Sequence, residues 1–182
     1  VDEQGRARSF NGLAAAVGAS VPTLKHYFGD YEGVVVAALD QARADGEVHL
    51  AAQRDPGSLR LAESVAAYCA AVEAGWALGV GALFTSGLSL GLGHAALGPA
   101  TVDHLLEPTL QSLEARLTVH AARGELRAGV DVRAAALALL APLLLALLHQ
   151  QALGGARCRP LELSAFGEAH RAGWLAGWGA PT

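Results

Sequence analysis

Between Ser9 and Glu32 the chain reads SFNGLAAAVGASVPTLKHYFGDYE, and this stretch limits the possible folds most tightly. A short apolar helix, a corner at Gly18-Ala19-Ser20 and a second short helix with a polar tip are what a helix-turn-helix requires. Ala14 is small where the two helices have to touch. Gly18 accepts the left-handed backbone of the corner, and Leu13, Val17 and Leu24 offer the apolar face that holds one helix across the other. Ser20 is placed to cap the second helix, with Pro22 in its first turn, where a missing N–H costs nothing. That second helix is the candidate to enter a DNA groove.

A DNA-binding head has to meet phosphates, which brings in charge. The net charge of -4 over 182 residues argues against a uniformly basic surface, so phosphate contacts must be local. Between Val1 and Asp30, Arg6, Arg8 and Lys25 are cancelled by Asp2, Glu3 and Asp30. Hydrophobic residues make up 52% and charged ones 16%, enough for a large core and for a face buried against a partner. Cys69 and Cys158 are neither a ligand pair nor a disulfide framework, which points to a reducing cytoplasm. Methionine is absent, position 1 included, so the chain is expected to begin inside a longer one; VDEQGRARS reads as the end of a preceding helix, stopped by Gly5, with Ser9 as the next cap.

Beyond the head, Tyr31 to about Arg54 has helical periodicity, with Val34, Val35, Ala38, Leu39 and Ala42 on one side and Asp40, Arg43 and Glu47 on the other. Asp55-Pro56-Gly57 ends it. Ser58 is expected to cap a helix from Leu59 to about Leu78. The stretch GVGALFTSGLSLGLGHAALGPA is ambiguous, because each glycine lowers helix propensity by about 1 kcal/mol. It reads as one short helix, Ala82 to Leu90, followed by a mobile loop; either a pocket opens there or the glycines allow close helix packing. Thr101 to Arg123 reads as an amphipathic helix bent at Pro108, with Leu105, Leu106, Thr109, Leu110, Leu113 and Leu117 inward and Glu107, Gln111, Glu114 and Arg116 outward.

RGELRAGVDV then supplies a glycine turn and Asp131 as the next cap. The run Ala134 to Leu148 is apolar all round and falls short of the roughly 20 residues a membrane span needs. It has to be covered by protein, partly by a second copy, and Pro142 is expected to kink it. GGARCRPLE reads as a loop, and Leu163 to Trp178 as a last helix.

The spacing of Ala14, Gly18, Thr23, Leu24, Tyr27, Phe28 and Glu32 resembles the signature of the TetR family of bacterial transcriptional regulators, and RGELRAGVD resembles a second landmark of that family. The resemblance implies an all-α fold: a helix-turn-helix DNA-binding head (1–45, lacking the family's first helix) joined by a connecting helix to a larger ligand-binding and dimerisation body (46–182). It implies that Ser9, Thr23 and Tyr27 meet phosphates, while Asn11, Val21, Pro22, Lys25 and His26 meet base edges or groove walls. Lys25 stands where the family has an aromatic residue, and Tyr31 where a phosphate-binding lysine is common. Tyr68, Trp76, Phe84, His94 and His104 are the candidates to line an effector pocket. The last two helices would pair with their symmetry mates, with Leu140, Leu144, Leu148, Phe166, His170 and Trp174 as candidate dimer contacts. The partners implied are a near-palindromic DNA operator, a small-molecule effector and a second copy of the chain, in the cytoplasm and without a membrane.

Catalysis has little support. The seven histidines show no His-x-x-x-His spacing, no Cys-x-x-Cys occurs, and no glycine-rich phosphate loop follows a strand, so no metal or cofactor is expected. His104, Glu107 and Glu114 share one helix, but a solvated charged face accounts for them. The alternatives to a regulator are a helical sensor or scaffold without DNA binding and, more remotely, an all-α enzyme.

Overall fold

A computed structural model describes residues 10–181, which form ten α-helices with short 3₁₀ and π turns and no named strand. Two short helices, α1 (Phe10–Val17) and α2 (Val21–Phe28), lead into α3 (Tyr31–Arg54), whose bounds are those the sequence predicts. Asp30 caps α3 by accepting from the Gly33 N–H at 2.8 Å. Asp55 accepts from the Gly57 N–H at 2.8 Å in the turn that closes it.

The next helix, α4 (Leu61–Gly75), is capped differently from the sequence expectation. Ser58 is not its cap. The Glu63 carboxylate accepts from the Arg60 N–H at 3.2 Å, and Glu125, distant in sequence, accepts from the Leu61 N–H at 2.7 Å. Charge at the positive end of a helix favours this arrangement over a serine hydroxyl. A π turn at Trp76–Val80, broken at Gly79 (φ +116°), joins α4 to α5 (Gly81–Gly93).

The glycine-rich stretch is therefore helical well beyond Leu90, and the expected loop is replaced by a 3₁₀ turn at Ala95–Leu97 and a short α6 (Gly98–Thr101). Packing overrides propensity here. A Cβ on Gly87 would lie 2.9 Å from a Leu105 methyl and 3.3 Å from one of Leu39, so glycine permits the close approach. The Thr101 hydroxyl, buried against α5, donates to Leu97 O at 2.9 Å and lies 3.3 Å from Gly87 O.

The predicted helix from Thr101 is divided as well. A π turn at Val102–Leu106 precedes α7 (Glu107–Ala122). Pro108 has no N–H to offer the preceding turn, and the Glu107 N–H reaches back to Val102 O. The irregularity expected at Pro108 is thus taken up one residue earlier, as a π bulge.

Arg116 does not face outward. It is 4% exposed, and its Nε donates to Ser64 Oγ at 2.7 Å. Periodicity placed it among charged neighbours; the polar partners that draw it inward come from α4 and the end of α3. The outward carboxylates Glu107 and Glu114 both pair with Arg133, in the first turn of the next long helix, at 2.6 Å, which holds Glu107 below the usual carboxylate range and ties that helix to α7.

Asp131 caps α8 (Val132–Leu147) as expected, accepting from the Arg133 and Ala134 N–H groups at 3.0 and 3.2 Å. A π turn at Leu148–Ala152 extends this helix, so the apolar rod is 21 residues rather than stopping short. By length and composition it and Leu61–Gly93 could each cross a membrane. Both are core helices of this fold: Val65, Tyr68 and Cys69 are buried on one, and Ala135, Ala136 and Leu139 on the other. GGARCRPLE contains a one-turn helix, α9 (Gly155–Cys158), and α10 (Leu163–Trp178) has the predicted bounds. Trp174 Nε1 donates to Ala135 O at 2.8 Å and His170 Nε2 donates to Leu139 O at 2.9 Å, fixing α10 on α8.

One side chain links three elements at the base of the body. Glu125 Oε2 accepts from His120 Nδ1 at 2.9 Å and from the Leu61 N–H, while His120 Nε2 is buried without a partner. Burial pushes the His120 pKa down, against the pull of Glu125. Burial raises that of Glu125, but the bonds from His120 and Leu61 prevail and hold it below the ordinary value. The native state therefore favours neutral His120 and ionised Glu125. Below the ordinary histidine value of 6.5 the unfolded chain takes up a proton that native His120 resists, and below 4.5 the same holds for Glu125, so stability is lost as pH falls in both windows. Thermal unfolding between pH 4 and 8 should show a falling midpoint from about pH 6.5 downward, and His120→Gln should remove the upper part of that fall.

Candidate nucleic-acid interface

The corner between α1 and α2 is built by a few local interactions. Gly18 takes φ +66°, and the Ala19 N–H donates to Ala14 O at 3.0 Å, closing α1. Ser20 Oγ accepts from the Thr23 N–H at 3.1 Å and lies 2.7 Å from the Thr23 hydroxyl, so cap and first turn of α2 are locked together. Ala14 and Leu24 are buried between the helices, at 3% and 8% exposed. Leu13 is half-buried, and Val17, predicted to share that apolar face, is the last residue of α1 and 59% exposed.

At its other end α2 stops at Gly29, whose φ of +76° lets the chain reverse, and the Gly29 N–H donates to Lys25 O at 3.0 Å. The elbow into α3 is so tight that a Cβ on Gly33 would run into the Phe28 carbonyl. This elbow fixes α2 across the start of the long helix.

The fixed α2 presents Pro22, Thr23, Lys25, His26 and Tyr27 to solvent, with Tyr27 73% exposed and Val21 half-buried. Asn11 is exposed on α1. Ser9 lies outside the described residues. The His26 and Tyr27 rings meet edge to face at 5.1 Å, so the outward side carries one cation and a small aromatic cluster. Such a face can donate from Lys25, Thr23 and Tyr27 to phosphate oxygens or base acceptors and can stack or wedge with its rings. Lys25 and Asp30 are the only Lys, Arg, Asp or Glu between Phe10 and Asp30, so the electrostatic part of any DNA contact made here is small.

The candidate pocket residues do not come together in this way. Tyr68 is 1% exposed, donates to Thr109 O at 3.0 Å, and has its pKa pushed up to about 12 by burial. Trp76 and Phe84 are buried and pack as a tilted pair at 5.4 Å. His94 is exposed at the end of α5, and His104 sits in the π turn with Nδ1 3.5 Å from Asp40 Oδ1. Two concavities open elsewhere. One, of about 470 Å³, lies under the α7–α8 loop and the chain end, and another, of about 290 Å³, lies between α4 and α10, where Glu73 and Arg171 flank Ala66, Ala70, Leu163 and Ser164. None of the five predicted residues lines either. Sequence reading missed the second because its charges sit on helices far apart in the chain.

The dimer candidates divide. Leu140 and Trp174 are buried in the protomer's own core, His170 is bonded to α8, and Phe166 stacks on His170 at 5.7 Å. Leu144 and Leu148 are half-buried and pack against the edge of the protomer's core, while Leu137 and Leu145 on the same helix are 53% and 65% exposed.

These parts define a class of fold: an all-helical chain in which a helix-turn-helix stands at the start of a long helix that runs into a larger helical body. Solved TetR-type structures share it. A putative TetR-family transcriptional regulator from Mesorhizobium loti superposes with a TM-score of 0.64 at 20% identity, covering 94% of this chain and 87% of its own. Salmonella enterica GusR gives 0.67 at 22% identity over 96% and 86%. A TetR transcriptional regulator from Agrobacterium tumefaciens gives 0.61 at 16% over 98% and 88%. No protein-family model matches the sequence, and no curated protein matches it.

The cap is the most easily tested part of the head. Ser20→Ala should lower stability by about 1 kcal/mol, read as a lower denaturant midpoint with an unchanged slope, and Ser20→Asp should restore most of the loss.

Proposed function

We propose that the chain is a DNA-binding transcriptional regulator that acts as a homodimer, its head extending to about residue 45 and its body from 46 onward. The observation that carries this reading is α2 itself: a capped helix held at both ends by glycine turns, with Thr23, Lys25, His26 and Tyr27 all turned outward. The elbow at Gly33 holds this helix against the start of α3, and its exposed side carries the His26 and Tyr27 rings in contact. Two heads acting together would read half-sites roughly 34 to 36 Å apart, or a multiple of that, on a near-palindrome.

Dimerisation is supported by the outer side of α8. Leu137, Ala141, Leu144, Leu145 and Leu148 recur at helical spacing and are exposed or half-buried in one protomer. Repression, and release by a small apolar effector, complete the reading by likeness to the TetR fold. A cytoplasmic location follows from DNA binding.

The test is selection of duplexes from a random pool by the purified chain, followed by titration at several salt concentrations. A selective, salt-sensitive complex is expected, and recovery of no preferred sequence would refute the reading. Lys25→Ala should weaken the selected complex and reduce the salt slope by about one per copy with the dimer intact; unchanged affinity would mean α2 is not the reading helix. Leu145→Glu should give monomers by sedimentation, and a surviving dimer would move the interface off α8.

A further inference from the structure

Arg171 of α10 and Glu73 of α4 are half-buried charges flanking the groove of about 290 Å³ between these helices. A Cβ on Gly167, buried where α10 meets α4, would lie 3.1 Å from Arg171 Nη1 and 3.8 Å from Glu73 Oε1, so glycine lets both groups converge on one point. They converge without pairing. Elsewhere guanidinium groups close on carboxylates at 2.6 to 3.4 Å, but among the described residues neither Arg171 nor Glu73 enters an ion pair or a side-chain hydrogen bond. Glu168, three residues before Arg171 and placed for a pair along one helix, is exposed and does not take it either. The Cys69 thiol feels both charges, but burial pushes its pKa up to about 11, so it stays neutral and cancels neither. Opposite charges that are partly desolvated and do not neutralise each other are costly to hold. A ligand carrying both signs removes that cost.

The rest of the groove suits such a ligand. Ala66 and Ala70, one turn apart on α4, leave an open shelf, Leu163 adds an apolar wall, and Ser164 brings a hydroxyl. Its volume is at the small end of the ~300 to 1,000 Å³ common for ligand pockets, room for a small metabolite. At about 3.6 residues per turn, Ser164, Gly167 and Arg171 share one side of α10, and Ala165, Ala169 and Ala172 lie opposite. A second copy packed on those alanines leaves the groove open.

We propose that the groove between α4 and α10 binds a free α-amino acid with an apolar side chain: Arg171 donates to its carboxylate, Glu73 accepts from its ammonium group, and the side chain lies along Ala66 and Ala70 against Leu163. The planar fork of a guanidinium matches a carboxylate with two parallel bonds, and an ammonium group supplies the donors that Glu73 lacks. The test is calorimetric titration of the full-length chain at neutral pH with L-leucine, L-valine and L-phenylalanine, and with isoamylamine and isocaproate, which each keep one of leucine's two charges. The expected result is saturable binding of at least one amino acid with a Kd below about 1 mM, and binding of both single-charge analogues at least tenfold weaker than that of leucine. Arg171→Gln and Glu73→Gln should each weaken amino-acid binding at least tenfold. Ala70→Leu, which fills the groove from an exposed position, should abolish it without lowering the melting temperature. If Arg171 and Glu73 instead close on each other in solution, no amino acid binds and both glutamine variants melt lower; that result overturns the proposal. So does binding that isoamylamine or isocaproate matches, or that survives both glutamine substitutions, since the site then lies elsewhere. Should either glutamine variant fail to fold, undiminished binding by Ala70→Leu is the overturning result. None of these outcomes depends on whether the chain reads DNA.

Discussion

A helix of 24 residues ends in carbonyls that nothing inside it can satisfy, and the architecture of this chain is arranged around how that end of α3 is met. The group that meets it is a guanidinium from α7, desolvated enough that burial lowers its pKa, and it is bonded to α4 as well. Three helices thus share one buried cation. The next turn of α7 repeats the arrangement with His120, whose partner Glu125 holds the first N–H of α4. Along this seam, Ser64 and Tyr68 of α4 face Ser112, Arg116 and His120 of α7, all buried. An apolar seam would allow the helices to slide past each other; bonds with direction give them one register. The head is joined to this seam through α3, on which α2 packs.

Much of this could be read in the sequence where the information is local. The corner at Gly18, the Ser20 and Asp131 caps and the bounds of α3 and α10 follow from residues within a turn or two of the feature they determine. So does the outward set on α2, because a short helix with one buried leucine has little choice about its other side. What could not be read depends on partners distant in sequence. Arg116 sits among Glu114, Gln111 and Glu107 and has the periodicity of a solvated face; its acceptors at Gln53 and Ser64 lie 63 and 52 residues away. Ser58 was a reasonable cap until Glu125 arrived from 64 residues downstream of Leu61. The glycine-rich stretch failed for a related reason, since its propensity argues for a loop while contact with Leu39, Leu105 and Thr101 makes glycine the residue that fits.

The same division explains the body residues. Aromatic side chains at helical spacing look alike whether they line a cavity or fill one, and Tyr68, Trp76 and Phe84 fill it. Choosing between the two needs the third dimension. The groove between α4 and α10 is the reverse case: Glu73 and Arg171 carry no shared motif, yet the fold brings them to opposite sides of one concavity.

Apolar surface on α8 makes a last connection between core and assembly. One side of that helix is closed by α7 and α10, with Ala135, Ala136 and Leu139 fully buried, and the opposite side still presents leucines at Leu137 and Leu145. A helix that is apolar all round has to be covered on most sides, and among the described residues Leu137 and Leu145 are left 53% and 65% exposed. On α10 the exposed positions Ala165, Ala169, Ala172 and Ala176 are small, as a close helix approach demands, so a second copy can bring its own α8 and α10 against these. In such a dimer each protomer's α8 would be tied through Arg133 to the carboxylates of α7, the helix whose Arg116 meets the end of α3.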